Sequence, residues 1–218
     1  MNKRNVLMQS IYSQNADVIC ISEVLPKNVS IPVTNAEIKI PGYHCFNNLE
    51  SKFCHRGVLI HVKDTLDATS FELSTDFAEC TGCEVKFENE NKNLMIFCVY
   101  RSPNNSDEND IKLNEFLQHL YRFGNKNLII TGDFNYPEID WPNGDIPRNS
   151  EHKATKFFMN VQSALLFQKV TDFTHYRPNQ NPTLIDLVLI NNDNIISDID
   201  HLAPLGKSDH QVLKFSFN

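Results

Sequence analysis

Apolar residues fall in short bursts along the chain, and their spacing separates strands from helices. "ADVICIS" (16–22) is a continuous, largely β-branched run, as expected of a buried strand. "GVLIHVKD" (57–64) alternates apolar and polar positions and predicts another strand. "ECTGCEVKFE" (79–88) and "NLMIFCVYR" (93–101) predict a strand pair joined by the polar turn "NENKN". "NLIITGD" (127–133) reads as a central strand, and "TLIDLVLIN" (183–191) and "QVLKFSFN" (211–218) as two more. Helical spacing appears in "NVLMQSIYSQ" (5–14), through Val6, Leu7, Ile11 and Tyr12. It recurs in "DENDIKLNEFLQHLYRF" (107–123), with Ile111, Phe116, Leu117 and Leu120 on one side and acids at its start. "SEHKATKFFMNVQSALL" (150–166) predicts a helix capped by Ser150.

Strands outnumber helices, and strand pairs with short turns mix with helix crossovers. That pattern predicts an α+β sandwich of mixed sheets with helices outside. There is no repeat and no long linker, so residues 1–218 read as one domain. No glycine-rich phosphate loop follows any strand, which removes support for a nucleotide cofactor. The long polar loops, 103–110 and 135–150, sit at strand ends, where functional sites concentrate.

Several strands end in polar residues foreign to a core. They are Glu23 after 16–22, Tyr100 and Arg101 after 94–99, and Asp133 and Asn135 after 127–131. Ser208, Asp209 and His210 precede the last strand, and Asp186 interrupts "TLIDLVLI". Brought together, these groups suit phosphodiester cleavage. Hard oxygen ligands such as Glu23 and Asp209 fit Mg²⁺ or Mn²⁺. Asp133 fits a base for an attacking water, and Asn135 a holder of that water or of a phosphate oxygen. His210 fits stabilisation of developing charge, with buried Asp186 fixing its tautomer and raising its pKa. Tyr100 can donate to a phosphate oxygen, and no nucleophilic Ser or Cys is needed. Singly, Asp133 and Asn135 fit a turn, Glu23 a solvated strand end and Tyr100 the core. The joint pattern carries the reading, and the other seven histidines read as ordinary.

Charge and cysteine usage constrain the setting. The net charge of −7 argues against a simple non-specific nucleic-acid binder, so any backbone contact is local to the site. Of the six cysteines, Cys20 and Cys98 lie in apolar runs as small hydrophobes. "CTGC" has no second pair to complete a zinc site. A chain of 218 residues with this usage reads as reduced and intracellular, acting in the nucleus or the cytoplasm. No apolar run is long enough to span a membrane, and the start lacks a signal-peptide pattern. The only Trp, Trp141, reads as core.

"ISE" (21–23), "VYR" (99–101), "GDFN" (132–135), "LIDLVL" (184–189) and "SDH" (208–210) occur in order over nearly the whole chain. Together they resemble the endonuclease/exonuclease/phosphatase superfamily, with its DNase I-like fold. "RGVLIHVKD", "VYRSPN", "GDFNYPEIDWPN" and "PLGKSDH" are similar to the apurinic-type endonuclease domain of non-LTR retrotransposons of the CR1, jockey and RTE sort. The resemblance implies a four-layer α/β/β/α sandwich of two mixed sheets. It implies a divalent metal at Glu23 and Asp209, and catalytic roles for Tyr100, Asp133, Asn135, Asp186 and His210. Arg101, Asn104 and Ser208 become candidates for contacting the DNA backbone. The implied activity is nicking of DNA by a monomeric domain, leaving a 3′ hydroxyl that primes reverse transcription. The family begins with a strand ending in a metal-holding Asn. This sequence opens inside the next helix, so that strand is expected to be missing, and Asn2 and Asn5 stand in the wrong context to replace the residue. Rival expectations are a same-fold phosphatase or sphingomyelinase-like phosphodiesterase, or an inactive remnant serving as a binding module.

Overall fold

Backbone pairing sorts the strands into layers whose polar ends meet on one side. The protein is seen as a computed structural model that describes residues 3–25, 33–49, 56–71, 75–87 and 93–218. In chain order the elements are α1 (Lys3–Gln14), β1 (Val18–Ser22), α2 (Asn35–Ile38), β2 (Tyr43–Asn47), β3 (Val58–Lys63), β4 (Asp67–Ser70), β5 (Cys80–Lys86) and β6 (Leu94–Tyr100). They continue with α3 (Asp107–Leu120), a 3₁₀ turn (Tyr121–Phe123), β7 (Asn127–Asp133), α4 (Lys153–Ser163), β8 (Phe167–Gln168), β9 (Asp186–Ile190), β10 (Asp200–Leu202) and β11 (Val212–Lys214).

A six-stranded sheet has the order β4-β5-β6-β7-β9-β8, and a three-stranded sheet the order β1-β3-β2. β10 and β11 form an antiparallel pair. Among the described residues the only parallel ladder is β6 on β7, bridged by the α3 crossover. Only the larger sheet is therefore mixed; both pairings in the three-stranded sheet are antiparallel. The two sheets bury a shared core that includes Val58, Ile60 and Val62 of β3 and the whole of β6. Outside the larger sheet, α3 contributes Leu113, Phe116, Leu117 and Leu120, with the Phe116 ring edge-on to Phe97 at 5.6 Å. On the opposite side, Ile11 of α1 packs with Ile40 and Tyr43, flanked by Leu7 and Ile19. The result is the four-layer α/β/β/α sandwich. β1 pairs with β3 on one side, and no described strand pairs with its other edge.

Local chemistry explains most boundaries. Ser106 caps α3 by accepting from the Asn109 N–H at 3.2 Å, and Asp107, Glu108 and Asp110 face the helix dipole. The α4 cap is His152, not Ser150: Asn149 folds the preceding residues into a turn, so the helix starts later. Ile111 and Tyr12, expected on apolar helix faces, both have exposed side chains. Trp141 packs partly buried against Phe157 and Phe158. The "NENKN" turn and Cys54 lie outside the described residues except for Asn93. Cys80 and Cys83 lie three apart on β5 and so face opposite sides of the sheet, which prevents joint chelation. Burial pushes both thiols up to about 12. No helix among the described residues is long and apolar enough to cross a membrane.

Gly132 shows why "GDFN" begins with glycine. Its φ is +144°, and a Cβ there would sit 1.9 Å from the Val99 carbonyl oxygen across the β6–β7 ladder. Gly132→Ala is expected to destabilise the fold by roughly 3 kcal/mol or more, read as a lower urea midpoint.

Candidate active site

Register alone puts three of the expected groups in a row. Tyr100 of β6 lies opposite Asp133 of β7, and Asp133 lies opposite Asp186 of β9. Residues paired across neighbouring strands project to the same face, so the row is built into the sheet. Glu23 reaches it from the other sheet, at a backbone φ of +53° just beyond β1. The Tyr100 hydroxyl donates to Glu23 Oε1 at 2.7 Å, and Arg56 Nη2 donates to Glu23 Oε2 at 3.1 Å. His210 closes the group, its Nδ1 2.9 Å from Asp186 Oδ2. Asp133, Asp186 and His210 offer ligand atoms that all lie within 4.8 Å of one another. Two carboxylates so placed, with Glu23 nearby, offer the hard oxygen donors that could hold a divalent cation.

The electrostatics match that reading. Burial, then the charge of Asp186, pushes the Asp133 pKa well above the usual carboxylate range. Burial opposes a charged His210, but its hydrogen bond to Asp186 and the nearby carboxylates outweigh this and lift it to about 9. His210 is thus a cation at neutral pH. Burial, then the Glu23 carboxylate, holds the Tyr100 phenol protonated and raises its pKa. The Tyr100 hydroxyl is committed to Glu23 rather than free to meet a phosphate.

Asn135 stands behind Asp133 in left-handed backbone, φ +51°, which Asn tolerates better than most residues. Its N–H donates to Asp133 Oδ1 at 3.1 Å, and its Nδ2 donates to the Arg101 carbonyl at 2.8 Å. Arg101, expected to contact the DNA backbone, turns inward instead. It is fully buried, pairs with Asp110 through Nε (2.6 Å) and Nη2 (3.0 Å), and donates through Nη1 to the Asn135 carbonyl at 2.9 Å. Tyr136 completes this network, its ring 4.0 Å beneath the guanidinium and its hydroxyl donating to Asp110 at 3.1 Å.

The remaining expected residues lie at the margin. Asp209, expected as a metal ligand, turns its carboxylate to Arg177 at 3.1 Å and is not in the Asp133–Asp186–His210 group. Ser208 Oγ accepts from the His210 N–H at 3.2 Å and so shapes the turn that delivers the imidazole. Asn104 is exposed in the loop after β6.

Sequence reasoning missed several contributors. Arg56 pairs with Glu23 from 33 residues away, and Arg177 with Asp209 from 32, separations that leave no local pattern. Thr174, fully buried, accepts from the Asp186 N–H at 3.1 Å and fixes the start of β9. His175, read as ordinary, lies against His210 with ring centroids 4.7 Å apart. Asp110 did leave a signal, an acid three residues before Leu113 on the buried face of α3.

Arg101→Ala should cost about 3–5 kcal/mol of stability by leaving Asp110 buried and unpaired, measurable by urea denaturation. A mere loss of DNA affinity at unchanged stability would mark Arg101 as a substrate contact instead. Asp133→Asn should have the opposite effect. A raised carboxylate pKa means the folded state binds the proton more tightly than the unfolded, so the carboxylate weakens the fold as pH rises through and beyond the unfolded value. Without added metal, the variant should match the parent near pH 3 and exceed it at pH 8 by on the order of 1 kcal/mol, roughly 2–4 °C in Tm.

Known proteins were compared with this geometry. The family described as endonuclease-reverse transcriptase matches residues 94–214, which carry the Tyr100–Asp133–Asp186 row and His210. No curated protein matches the sequence significantly. Among solved structures, the endonuclease domain of TRAS1, a telomere-specific non-LTR retrotransposon, superposes with a TM-score of 0.73 at 15% identity, over 98% of this chain and 91% of that one. The AP endonuclease LMAP from Leishmania major gives 0.74 at 14% identity, over 97% and 81%. The catalytic domain of Xenopus laevis APE2 gives 0.65 at 18% identity, over 99% and 88%. At these identities the likeness establishes the shared fold.

Proposed function

Since this chain belongs to the endonuclease-reverse transcriptase family of the DNase I-like superfamily, we propose that it is a divalent-cation-dependent DNA-nicking phosphodiesterase. The observation that carries the reading is the strand-end row Tyr100–Asp133–Asp186 with His210 bonded to Asp186. Two of the superposed proteins are described as endonucleases, and the D. rerio TDP2 structure of the same fold holds a single-strand DNA product. Both support DNA as the substrate here.

In the proposed reaction a water oxygen bonds to phosphorus as the P–O3′ bond breaks in line, giving a 5′ phosphate and a 3′ oxyanion that takes a proton from solvent water to become the 3′ hydroxyl. Asp133 accepts a proton from the water as general base. Asn135, locked to Asp133 and to the Arg101 carbonyl, orients that water or a phosphate oxygen. His210, protonated, offers Nε2–H to the non-bridging oxygen that gains charge, while Asp186 holds its Nδ1 and so its tautomer. Tyr100 and Arg56 fix Glu23, which with Asp133 and Asp186 would hold Mg²⁺ or Mn²⁺. When bound, that cation supplies charge neutralisation at the phosphate. Asn104 and Ser208 lie near enough in sequence to the site residues to meet the DNA backbone.

A supercoiled plasmid incubated with the protein should relax by nicking with Mg²⁺ and not with EDTA. Asp133→Asn and His210→Ala should each slow nicking by roughly 10²–10⁴-fold. Mg²⁺-independent nicking, or full activity in both variants, would sink the assignment. Hydrolysis of small phosphate esters without nicking would favour a phosphatase of the same fold.

A further inference from the structure

We propose that His175 is a positioning residue for His210, its ring fixing the tilt of the neighbouring imidazole so that His210 is held on two sides. The inference rests on His210 acting at the phosphate, as proposed above.

The backbone brings the two rings together. The Tyr176 N–H donates to the Asp209 carbonyl and the Gln211 N–H to the Thr174 carbonyl, both at 2.8 Å, so His175 sits directly opposite His210 in an antiparallel bridge. Opposed residues in such a bridge share a face. The ring centroids stand 4.7 Å apart at an interplanar angle of 53°. On its other side His175 pairs with Thr183, by backbone bonds of 3.0 and 3.1 Å and by a 3.2 Å contact between Nδ1 and Thr183 Oγ1. The His175 ring is therefore itself tethered.

His210 needs this support. It follows the turn Leu205–Asp209, which contains Gly206 at φ +65°, and it precedes β11 rather than lying within it. Its side chain is 30% exposed. Asp186 fixes one ring atom and Cβ anchors the ring, so the remaining freedom is concerted rotation about the two side-chain bonds, which changes the ring's tilt. A second ring packed against it removes that freedom. Misplacement of a catalytic group by about 1 Å costs on the order of 10²-fold in rate, so the constraint bears on turnover.

The test compares His175→Ala with His175→Phe, the second keeping a ring but not the Thr183 contact. Expected is a drop in the nicking rate constant of roughly 10- to 100-fold for the alanine variant. The half-saturating plasmid concentration should hold within about twofold, and phenylalanine should recover most of the rate. In metal-free protein, the His210 ring proton resonances should lose a ring-current displacement in His175→Ala and retain one in His175→Phe. Parental rates and unchanged His210 resonances in His175→Ala would overturn the proposal. So would a phenylalanine variant as slow as the alanine one at equal thermal stability. If the parent does not nick DNA at all, the functional reading fails, and the His210 resonances alone decide whether His175 sets that ring.

Discussion

The parallel ladder between β6 and β7 governs where chemistry can occur in this molecule. Pairing Tyr100 with Asp133 aligns the ends of two central strands of the larger sheet, and antiparallel β9 then has to start with Asp186 at the same level. A slip of one residue would turn each of these groups to the other face. The close approach at Gly132, where no side chain fits beside Val99, pins that register. The same ladder donates the Arg101 N–H to the Asp133 carbonyl at 2.8 Å, so the backbone beneath the site is tied as well.

The row is electrostatically uncomfortable without a cation. Asp133 and Asp186 converge where water is scarce, and their mutual repulsion is only partly offset by His210. The fold keeps the groups together by using Arg56 on Glu23 and His210 on Asp186, while Asp133 receives one N–H, from Asn135. An environment that raises one carboxylate and one imidazole together is the kind in which functional sites cluster. A divalent cation held at the row would reverse the local field there, so the overall charge of −7 does not exclude the polyanionic substrate proposed above.

What could be read from the sequence follows from burial. β3, β6, β7 and β9 are inner strands of their sheets, and their apolar runs announced them. β2, β4 and β8 are sheet edges, and β10 belongs to a two-stranded pair. They are short and mixed in polarity, "YHCFN" and "DATS" among them, as edge strands tend to be. The site was legible where a polar residue ended an apolar run, as at Glu23, Asp133 and Asp186. It was illegible where a side chain's direction decided its role. Arg101 follows Tyr100 in the same motif yet turns inward, because Asp110 waits on α3 and no sequence pattern reports that pairing.

Arg101 explains how a loop can hold a catalytic geometry. Asn135 occupies a left-handed conformation that costs a non-glycine residue about 1 kcal/mol or more. Left alone, a loop residue would relax out of it. Here the Arg101 guanidinium grips the Asn135 carbonyl while the Arg101 carbonyl grips the Asn135 amide, so one residue fixes both ends of the other. Asp110 and Tyr136 in turn fix the guanidinium. The helix that completes the β6–β7 crossover therefore also braces the loop after β7. An acid on the buried face of α3, costly in isolation, is what keeps Asn135 and Asp133 in register at the strand end.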